Sequence, residues 1–255
     1  MRARPRTQSS LAIRGVEGPW FLVNASPDAR QQLETLVDGR DVDGVRAPPI
    51  AGVLLTDAEI DHTAGLLLLR ESTAPVRVFG EAGVERVLED TLLRMLERFC
   101  GVEWTVLEPG QPLSLAASSL SVESFPAGDD EATGFVFRDG VTGGVVTYAP
   151  ALAGMDGGVL ARFAASDLVL VDGTFWREDE LARLGISQRS AHDMGHIPLS
   201  GPGGSLEALA VLERPRKVLV HINNTNPILL EDSPERELVA RSGVEVAYDG
   251  LEVEL

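Results

Sequence analysis

Thr56-Asp57-Ala58-Glu59-Ile60-Asp61-His62-Thr63 follows the apolar run Ala51-Gly52-Val53-Leu54-Leu55 and contains four potential metal ligands within six residues. The apolar run predicts a buried strand, and a helix is predicted to begin near Thr63. The acidic side chains would then project at the carboxyl end of a strand and near the positive end of a helix, where metal-binding carboxylates are readily held. A simpler interpretation is that Asp61 and Thr63 cap the helix and Asp57 closes a turn.

The four histidines of the chain all lie in three short polar segments beside apolar runs. His62 ends the first segment, His192 and His196 lie in His192-Asp193-Met194-Gly195-His196, and His221 opens His221-Ile222-Asn223-Asn224. Taken together, the set predicts a mononuclear or dinuclear metal site at the edge of a sheet. For any one histidine, capping a helix or bonding loop backbone is the simpler alternative.

The composition indicates a folded protein with a small substrate. The chain has 255 residues, 44% of them hydrophobic, enough for one large domain or for two fused half-domains that share a core. Its formal charge of −17 repels polyanions, so we expect no nucleic-acid partner and a small-molecule or dipeptide substrate. No apolar run approaches the roughly 18 residues of a membrane span, and the basic N-terminus lacks the apolar stretch of a signal peptide. We therefore expect a cytoplasmic protein with no membrane partner.

Apolar runs rich in β-branched residues alternate with helical patterns along the chain. Strands are predicted at residues 20–23, 51–55, 76–79, 135–137, 145–148, 168–171 and 218–220. Helices are predicted over residues 27–36, 63–71, 81–99, 205–213 and 234–241, and a hairpin over residues 113–127. Because strands precede helices in both halves, the class is α/β, or a mixed sandwich with helices outside two sheets.

The spacing Asp57-x-Glu59-x-Asp61-His62 resembles the HxHxDH signature of the metallo-β-lactamase superfamily, with Asp57 and Glu59 in the places of the first two histidines. Longer segments resemble the pyrroloquinoline quinone (PQQ) biosynthesis protein B family. These segments are residues 3–10, 22–33, 56–70, 194–204 and 221–227. They span nearly the whole chain, and several are long enough to be specific.

The resemblance implies a single metallo-β-lactamase-like domain over residues 1–255, with an αββα sandwich and a metal site along one edge. It implies that Asp61 and His62 bind one metal. Asp172, in Val171-Asp172-Gly173-Thr174, would be the bridging or central carboxylate, and His221 the closing imidazole. Asp57 and Glu59 are further candidate metal ligands by their position in the motif.

The second segment supplies two candidate catalytic residues. By resemblance to RNA-processing members of the superfamily, His196 is the candidate general acid and base. His192 would either hydrogen-bond to a metal ligand without binding the metal itself, or contact the substrate. The alternative for both is a loop histidine bonded to backbone.

The ligand set that the resemblance implies favours one metal, and the family itself implies a reaction. Two imidazoles with one or two carboxylates are close to the two-histidine, one-carboxylate arrangement of ferrous enzymes, so Fe(II) is expected, with Zn or Mn as alternatives. Members of the family are associated with oxidative hydroxylation of a tyrosine-derived intermediate, which implies O₂-dependent hydroxylation of a Glu-Tyr precursor. Two alternatives stay open: a carrier that binds the finished quinone without chemistry, and a metal-dependent hydrolase of the same fold.

Four further residues are candidates for substrate binding. Asn223, Asn224 and Asn226 suit amide or carboxylate groups of a substrate, although they could equally satisfy turn backbone. Arg30 could clamp a substrate carboxylate or simply be solvated. The family also begins with a strand and a zinc-binding cysteine cluster upstream of residues 3–10, whereas Cys100 is the single cysteine here. Either that segment has been lost or truncated, or this member does without it. Its absence would expose a sheet edge and favour a homodimer.

Overall fold

A computed structural model describes residues 2–36, 49–127 and 132–255 of the chain. The chain divides into two units. The N-terminal unit comprises Gln8–Ser124 with Asp139–Thr142, and the C-terminal unit comprises Met1–Thr7, Phe125–Arg138 and Gly143–Leu255. Within these described ranges, no helix is both long and apolar enough to cross a bilayer.

The first sheet belongs to the N-terminal unit and is mixed. Its strands are β1 (Leu11–Ile13), β2 (Trp20–Val23), β3 (Ile50–Leu54), β4 (Val76–Gly80) and β5 (Val102–Val106), in that spatial order. β1 is antiparallel to β2, whereas β2 to β5 are parallel. Of the parallel strands, β2, β3 and β4 have few exposed positions, as expected for strands whose faces are both covered.

The helices of the N-terminal unit are short. They are α1 (Ala29–Leu36), α2 (Ile60–Thr63), a 3₁₀ helix (Ala64–Leu69), α3 (Ala82–Leu88), a π-helix (Glu89–Leu93) and α4 (Arg94–Leu96). Leu66 and Leu96 pack with strand residues Leu22, Val53 and Val78 in one buried cluster. Full burial of each such side chain contributes about 1.5–3 kcal/mol, so this cluster supplies most of what holds the short helices in place.

The second sheet has seven strands in the order β12-β11-β10-β9-β8-β7-β6. They are β6 (Leu113–Ser114), β7 (Leu120–Pro126), β8 (Thr133–Asp139), β9 (Val145–Ala149), β10 (Leu168–Asp172), β11 (Arg216–Val220) and β12 (Glu245–Val246). β9 to β12 are parallel, β8 is antiparallel to β9, and β6 is antiparallel to β7. The carboxyl ends of β9, β10 and β11 therefore meet at one edge of the sheet.

The helices of the C-terminal unit connect these strands. They are α5 (Gly157–Ala165), α6 (Glu180–Arg183), a 3₁₀ turn (His192–Met194), α7 (Ser205–Ala210), a 3₁₀ turn (Pro227–Leu229) and α8 (Pro234–Arg241). Phe163, Leu209 and Val239 bring α5, α7 and α8 into one buried cluster with Val169 and Leu219 of the sheet. β10 is buried along its whole length, so the residue that ends it has a fixed position.

The α/β class, the predicted strands and the hairpin over residues 113–127 are confirmed. Two helix predictions are wrong in their continuity. The helix predicted over residues 63–71 is instead α2 followed by a 3₁₀ helix, because Gly65 lies against the β2–α1 loop: a Cβ at Gly65 would lie 2.2 Å from the carbonyl oxygen of Ser26. The helix predicted over residues 81–99 contains the π-helix, where the Thr91 hydroxyl donates to the carbonyls of Val87 and Leu88 and competes with the backbone pattern.

Candidate metal centre

Asp172 ends β10 and is 1% exposed. One carboxylate oxygen accepts hydrogen bonds from the Thr174 backbone N–H at 2.8 Å and from the Thr174 hydroxyl at 2.6 Å. The other accepts from the backbone N–H of Leu152 at 3.0 Å. Leu152 follows β9, so two neighbouring strands hold this carboxylate in place.

His196 reaches Asp172 from the loop that follows the 3₁₀ turn His192–Met194. Gly195, with a φ of 77°, permits the reversal of the chain at the end of that turn. The Nδ1 atom of His196 lies 2.6 Å from Asp172 Oδ2, and the ring packs edge-on against Phe175. Without a metal, a carboxylate acceptor assigns the proton of a neutral imidazole to Nδ1.

His221 directly follows β11 and adopts a left-handed backbone conformation, with a φ of 52°. The Thr174 hydroxyl lies 2.8 Å from His221 Nδ1 and 2.8 Å from its carbonyl oxygen. The rings of His196 and His221 are stacked, with centroids 5.3 Å apart and an interplanar angle of 21°. Thr174 therefore links the carboxylate of Asp172 to the second imidazole.

Asp172, His196 and His221 form a candidate metal centre within the C-terminal unit. Their potential ligand atoms lie within 4.8 Å of one another. Asp172 and His196 are buried and His221 is partly exposed, so the group combines a desolvated negative charge with an opening to solvent. Two imidazoles and a carboxylate at this spacing are a ligand set that suits a divalent transition-metal ion.

A second carboxylate–histidine pair lies in the N-terminal unit, between Asp57 and His62. His62 Nδ1 lies 2.7 and 2.8 Å from the two oxygens of Asp57. The Thr56 hydroxyl and the Glu59 backbone N–H also donate to this carboxylate, at 2.7 and 3.0 Å. Burial opposes ionisation of Asp57, but these hydrogen bonds and the charge of His62 outweigh burial and hold the pKa of Asp57 below its ordinary value.

The loop after β2 fixes the position of this pair. The Asn24 amide donates to the Thr56 hydroxyl at 2.9 Å, and its oxygen accepts from the Thr56 backbone N–H at 3.0 Å. The backbone N–H of Ala25 donates to the His62 carbonyl at 2.7 Å, and that of Gly65 donates to the Ala25 carbonyl at 2.8 Å. The segment from Thr56 to Gly65 is thus hydrogen-bonded to the loop after β2 near both of its ends.

The remaining residues of the motif have different surroundings. Asp61 is partly exposed in the first turn of α2. Glu59 is the exposed N-cap residue of α2, and its side chain makes no capping hydrogen bond. Among the residues that the structure describes, neither Asp57 nor Glu59 belongs to a group of three potential ligands with closely spaced donor atoms. The contact that the structure shows for Asp57 is with His62, whose ring it holds in position.

The other predicted site residues differ in their exposure and in their hydrogen-bond partners. Arg30 is exposed on α1 and pairs with Glu34 at 3.1 Å. Asn226 is buried, and its amide is occupied by the Gly173 carbonyl and the Ile228 backbone N–H, so it stabilises the turn. Asn223 is partly exposed and Asn224 exposed after His221. His192 is exposed, with Nδ1 2.5 Å from Glu178.

Sequence reasoning missed three features of the candidate centre. Thr174 lies two residues after Asp172, a spacing at which an aspartate commonly accepts hydrogen bonds from the following turn, and that signal was available. Glu178, the partner of His192, lies 14 positions away, and no local pattern links the two. The position of His196 against Asp172 also makes this residue a candidate metal ligand, in addition to the proton transfer proposed for it.

Comparison with known proteins identifies the class of this fold and site. Residues 19–222 match the family model of the beta-lactamase superfamily domain, so the chain belongs to that superfamily. The fold is the predicted metallo-β-lactamase fold, with two mixed sheets and helices. A diphosphatase of the PhnP family, 18% identical with a TM-score of 0.67 over 97% of this chain and 84% of that chain, shows the fold alone. The fold does not select the reaction.

More similar relatives identify the family within the superfamily. The coenzyme PQQ synthesis protein B of Methylococcus capsulatus is 44% identical over all of this chain and 90% of its own length. That of Cupriavidus necator is likewise 44% identical, with the same coverage. Zn²⁺-bound PqqB from Methylobacterium extorquens is 37% identical, with a TM-score of 0.87 over all of this chain and 88% of that chain. The chain belongs to the coenzyme PQQ synthesis protein B family.

Proposed function

We propose that this protein hydroxylates a tyrosine-derived precursor of PQQ, a Glu-Tyr unit, with molecular oxygen at a metal held by Asp172, His196 and His221. The observation that carries the proposal is the closeness of these three donor groups, all within 4.8 Å of one another. Membership of the PQQ synthesis protein B family supplies the pathway.

The residues of the centre fit a divalent metal. His221 Nδ1 faces Thr174, so this ring offers Nε2 for coordination. His196 Nδ1 lies beside the Asp172 carboxylate, and a metal bound by both groups would take the place of the proton between them. Asp172 supplies the negative charge, and its burial strengthens the attraction for a cation. Fe(II) suits this ligand set, and Zn(II) or Mn(II) can occupy it as well. When bound, a ferrous ion supplies the redox chemistry that oxygen insertion requires.

Residues beside the centre would bind the substrate and handle its protons. His192 is exposed and is held by Glu178, which suits it to accept a proton from a phenol and pass it to solvent. Asn223 and Asn224 would donate to the carboxylate and amide groups of the precursor. In the balanced reaction one oxygen atom replaces a ring hydrogen as hydroxyl, and the other leaves as water. Two electrons and two protons come from an added reductant such as ascorbate.

Anaerobic reconstitution tests the proposal. The metal-free protein is loaded with Fe(II), Zn(II) or Mn(II), given a Glu-Tyr dipeptide and ascorbate, and then exposed to oxygen. We expect a product heavier by one oxygen atom in the Fe(II) sample, and ¹⁸O₂ should label it. His196→Ala should abolish the product, whereas Asp179→Asn, an exposed carboxylate paired with Arg183, should leave it unchanged. Absence of product with all three metals contradicts the proposal.

A hydrolase of the same fold is the second candidate, favoured by the zinc in the Methylobacterium extorquens relative. Zinc has no redox chemistry, but it activates water for attack on a phosphodiester or ester. This candidate predicts turnover of a nitrophenyl phosphodiester by the Zn(II)-loaded protein without oxygen. Loss of that turnover in His196→Ala would support it, and a silent Zn(II) sample would exclude it.

A further inference from the structure

Three arginines line a cavity of about 360 Å³ in the C-terminal unit, formed by residues other than those of the candidate metal centre. Arg4 and Arg6 come from the N-terminal residues, and Arg236 comes from the first turn of α8. Val244, Val246 and Tyr248 add an apolar wall. The volume of this cavity falls within the range of small-molecule sites, and both charged and apolar side chains line it.

The positive charge of this arginine cavity is only partly neutralised by the protein. Arg4 pairs with Glu231 at 2.6 Å. Glu245, which also lines the cavity, is already paired with Arg216 at 2.8 Å. Within the described part of the chain, Arg6 and Arg236 form no ion pair. Their guanidinium groups donate instead to the carbonyls of Ala247 and Ile228.

The electrostatics of the cavity favour an added anion. Burial, with repulsion from Arg236 and Arg4, holds the pKa of Arg6 below its ordinary range, although attraction to Asp249 and Glu231 opposes this shift. Burial likewise lowers the pKa of Arg236; attraction to Glu231 opposes the shift, and Arg4 adds a smaller repulsion. The Nε atom of Arg6 is buried and meets no acceptor among the described residues. Arg236 also lies in the first turn of a helix, where the backbone adds positive partial charge.

We propose that the arginine cavity binds an organic anion with two or more carboxylates, whose apolar body packs against Val244, Val246 and Tyr248. Guanidinium groups bind carboxylates through two parallel hydrogen bonds, so Arg6 and Arg236 can each hold one carboxylate. A bare phosphate would fill only a small part of the cavity and leave the apolar wall uncovered. The proposal is independent of the hydroxylation proposed above, because none of its residues belongs to the metal centre.

Isothermal titration of the full chain tests this site. The probes are benzene-1,3,5-tricarboxylate, inorganic phosphate and the neutral benzene-1,3,5-trimethanol, and the protein is used both as purified and after metal removal. We expect the tricarboxylate to bind equally to both preparations, at least about tenfold more tightly than phosphate, while the neutral probe does not bind. Raising NaCl from about 50 to about 300 mM should weaken binding several-fold, because the attraction is between partly exposed charges.

Variants distinguish a binding site from a structural contact. Arg6→Gln and Arg236→Gln should each weaken tricarboxylate binding about tenfold or more, and Arg6→Lys, which keeps the charge but loses the forked donors, should have an intermediate effect. Arg214→Gln removes an exposed arginine of the same unit that pairs with Asp167, and it should change binding less than about twofold. If Arg6→Gln does not fold, Arg6→Lys and the salt dependence decide. No binding to the wild type, equal binding to phosphate, or equal affinities in all variants would overturn the proposal.

Discussion

The two buried aspartate–histidine pairs, one in each unit, have the same contact, but the chain brings their residues together in different ways. Asp57 and His62 are five residues apart, and a single turn of chain with α2 brings them together. Asp172 and His196 are 24 residues apart and meet only because a long loop returns to the end of β10. The first pair is local, whereas the second depends on the sheet and on closure of the loop.

This difference affects how each pair should respond to change. The oxygens of Asp57 are shared among His62, Thr56 and the backbone of its own turn, so the turn can persist when one contact is lost. Asp172 is the point where β9, the Thr174 turn and His196 meet. Loss of its charge should therefore disturb several elements at once. Metal binding should fall most for changes at Asp172 and less for changes at Asp57.

The largest effect is expected from Asp172→Asn. This change removes the negative charge of the centre and gives His196 a neutral partner, so metal affinity should fall about 100-fold or more, about 2.7 kcal/mol. Metal content after dialysis, measured by mass spectrometry, and competition with a chelating dye would report the loss. Asp179→Asn is the matched control. A full equivalent of tightly held metal in Asp172→Asn would show that the centre lies elsewhere.

A smaller effect is expected from Asp57→Asn. The family resemblance assigns His62 as a metal ligand. Removing the carboxylate that hydrogen-bonds to a ligating imidazole typically lowers metal affinity about 10–100-fold. The amide oxygen of asparagine can still accept from His62 Nδ1, so Asp57→Asn should lower metal affinity about 10-fold and Asp57→Ala about 100-fold. The same metal competition assay applies. Equal affinity in both variants and the wild type would make the pair purely structural.

Thr174→Val tests the link between Asp172 and His221. Valine has nearly the shape of threonine but lacks the hydroxyl that contacts both side chains. Metal affinity should fall a few-fold, and unfolding should become easier by about 1–3 kcal/mol because buried acceptors lose their donor. Thr174→Ser should restore most of both quantities. Chemical denaturation alongside metal titration separates the two effects, and wild-type values for both in Thr174→Val would contradict the assigned link.

Asp139 offers a carboxylate without a histidine partner, and its replacement should leave metal binding unchanged. The Ser119 hydroxyl, followed by the backbone N–H groups of Val16, Val141 and Thr142, lowers the pKa of Asp139 to about 2. Because the folded pKa is below the unfolded value, its stabilisation is complete above about pH 4 and is lost as pH falls toward about 2.

The consequence is a stability difference with a defined pH dependence. At pH 7, Asp139→Asn should reduce the free energy of unfolding by about 2 kcal/mol, and the difference from the wild type should shrink below about pH 4. Urea unfolding at pH 7 and pH 3 measures this. Glu207→Gln, an exposed change on α7, is the control. A constant difference at both pH values would mean that ionisation of Asp139 is not its cause.

Much of the fold could be predicted because its strands are short, apolar and bounded by turn residues. Their order in the two sheets could not, since pairing such as β10 with both β9 and β11 depends on contacts distant in sequence. The helix errors have local causes: the close approach at Gly65 and the hydroxyl of Thr91 acted against a regular helical pattern.

The site was predictable to the extent that its chemistry is local. The motif at residues 57–62 gave candidate ligands, but not that Asp57 would turn toward His62, because the pattern specifies residue types and not their hydrogen-bond partners. Asp172 and His221 came from the family resemblance, and their neighbouring strands explain why they meet. Assigning His196 to proton transfer alone overlooked Asp172, which lies near it only in the folded chain.

The left-handed backbone at His221 makes the empty protein less heat-resistant than it could be. A residue with a Cβ in this conformation costs about 1–2 kcal/mol, which glycine would avoid. His221→Gly should therefore melt a few degrees higher than the wild type when both are stripped of metal, and lower when both are supplied with it. Selecting variants only for the thermal stability of the metal-free protein would therefore favour glycine at position 221, and the imidazole would be lost.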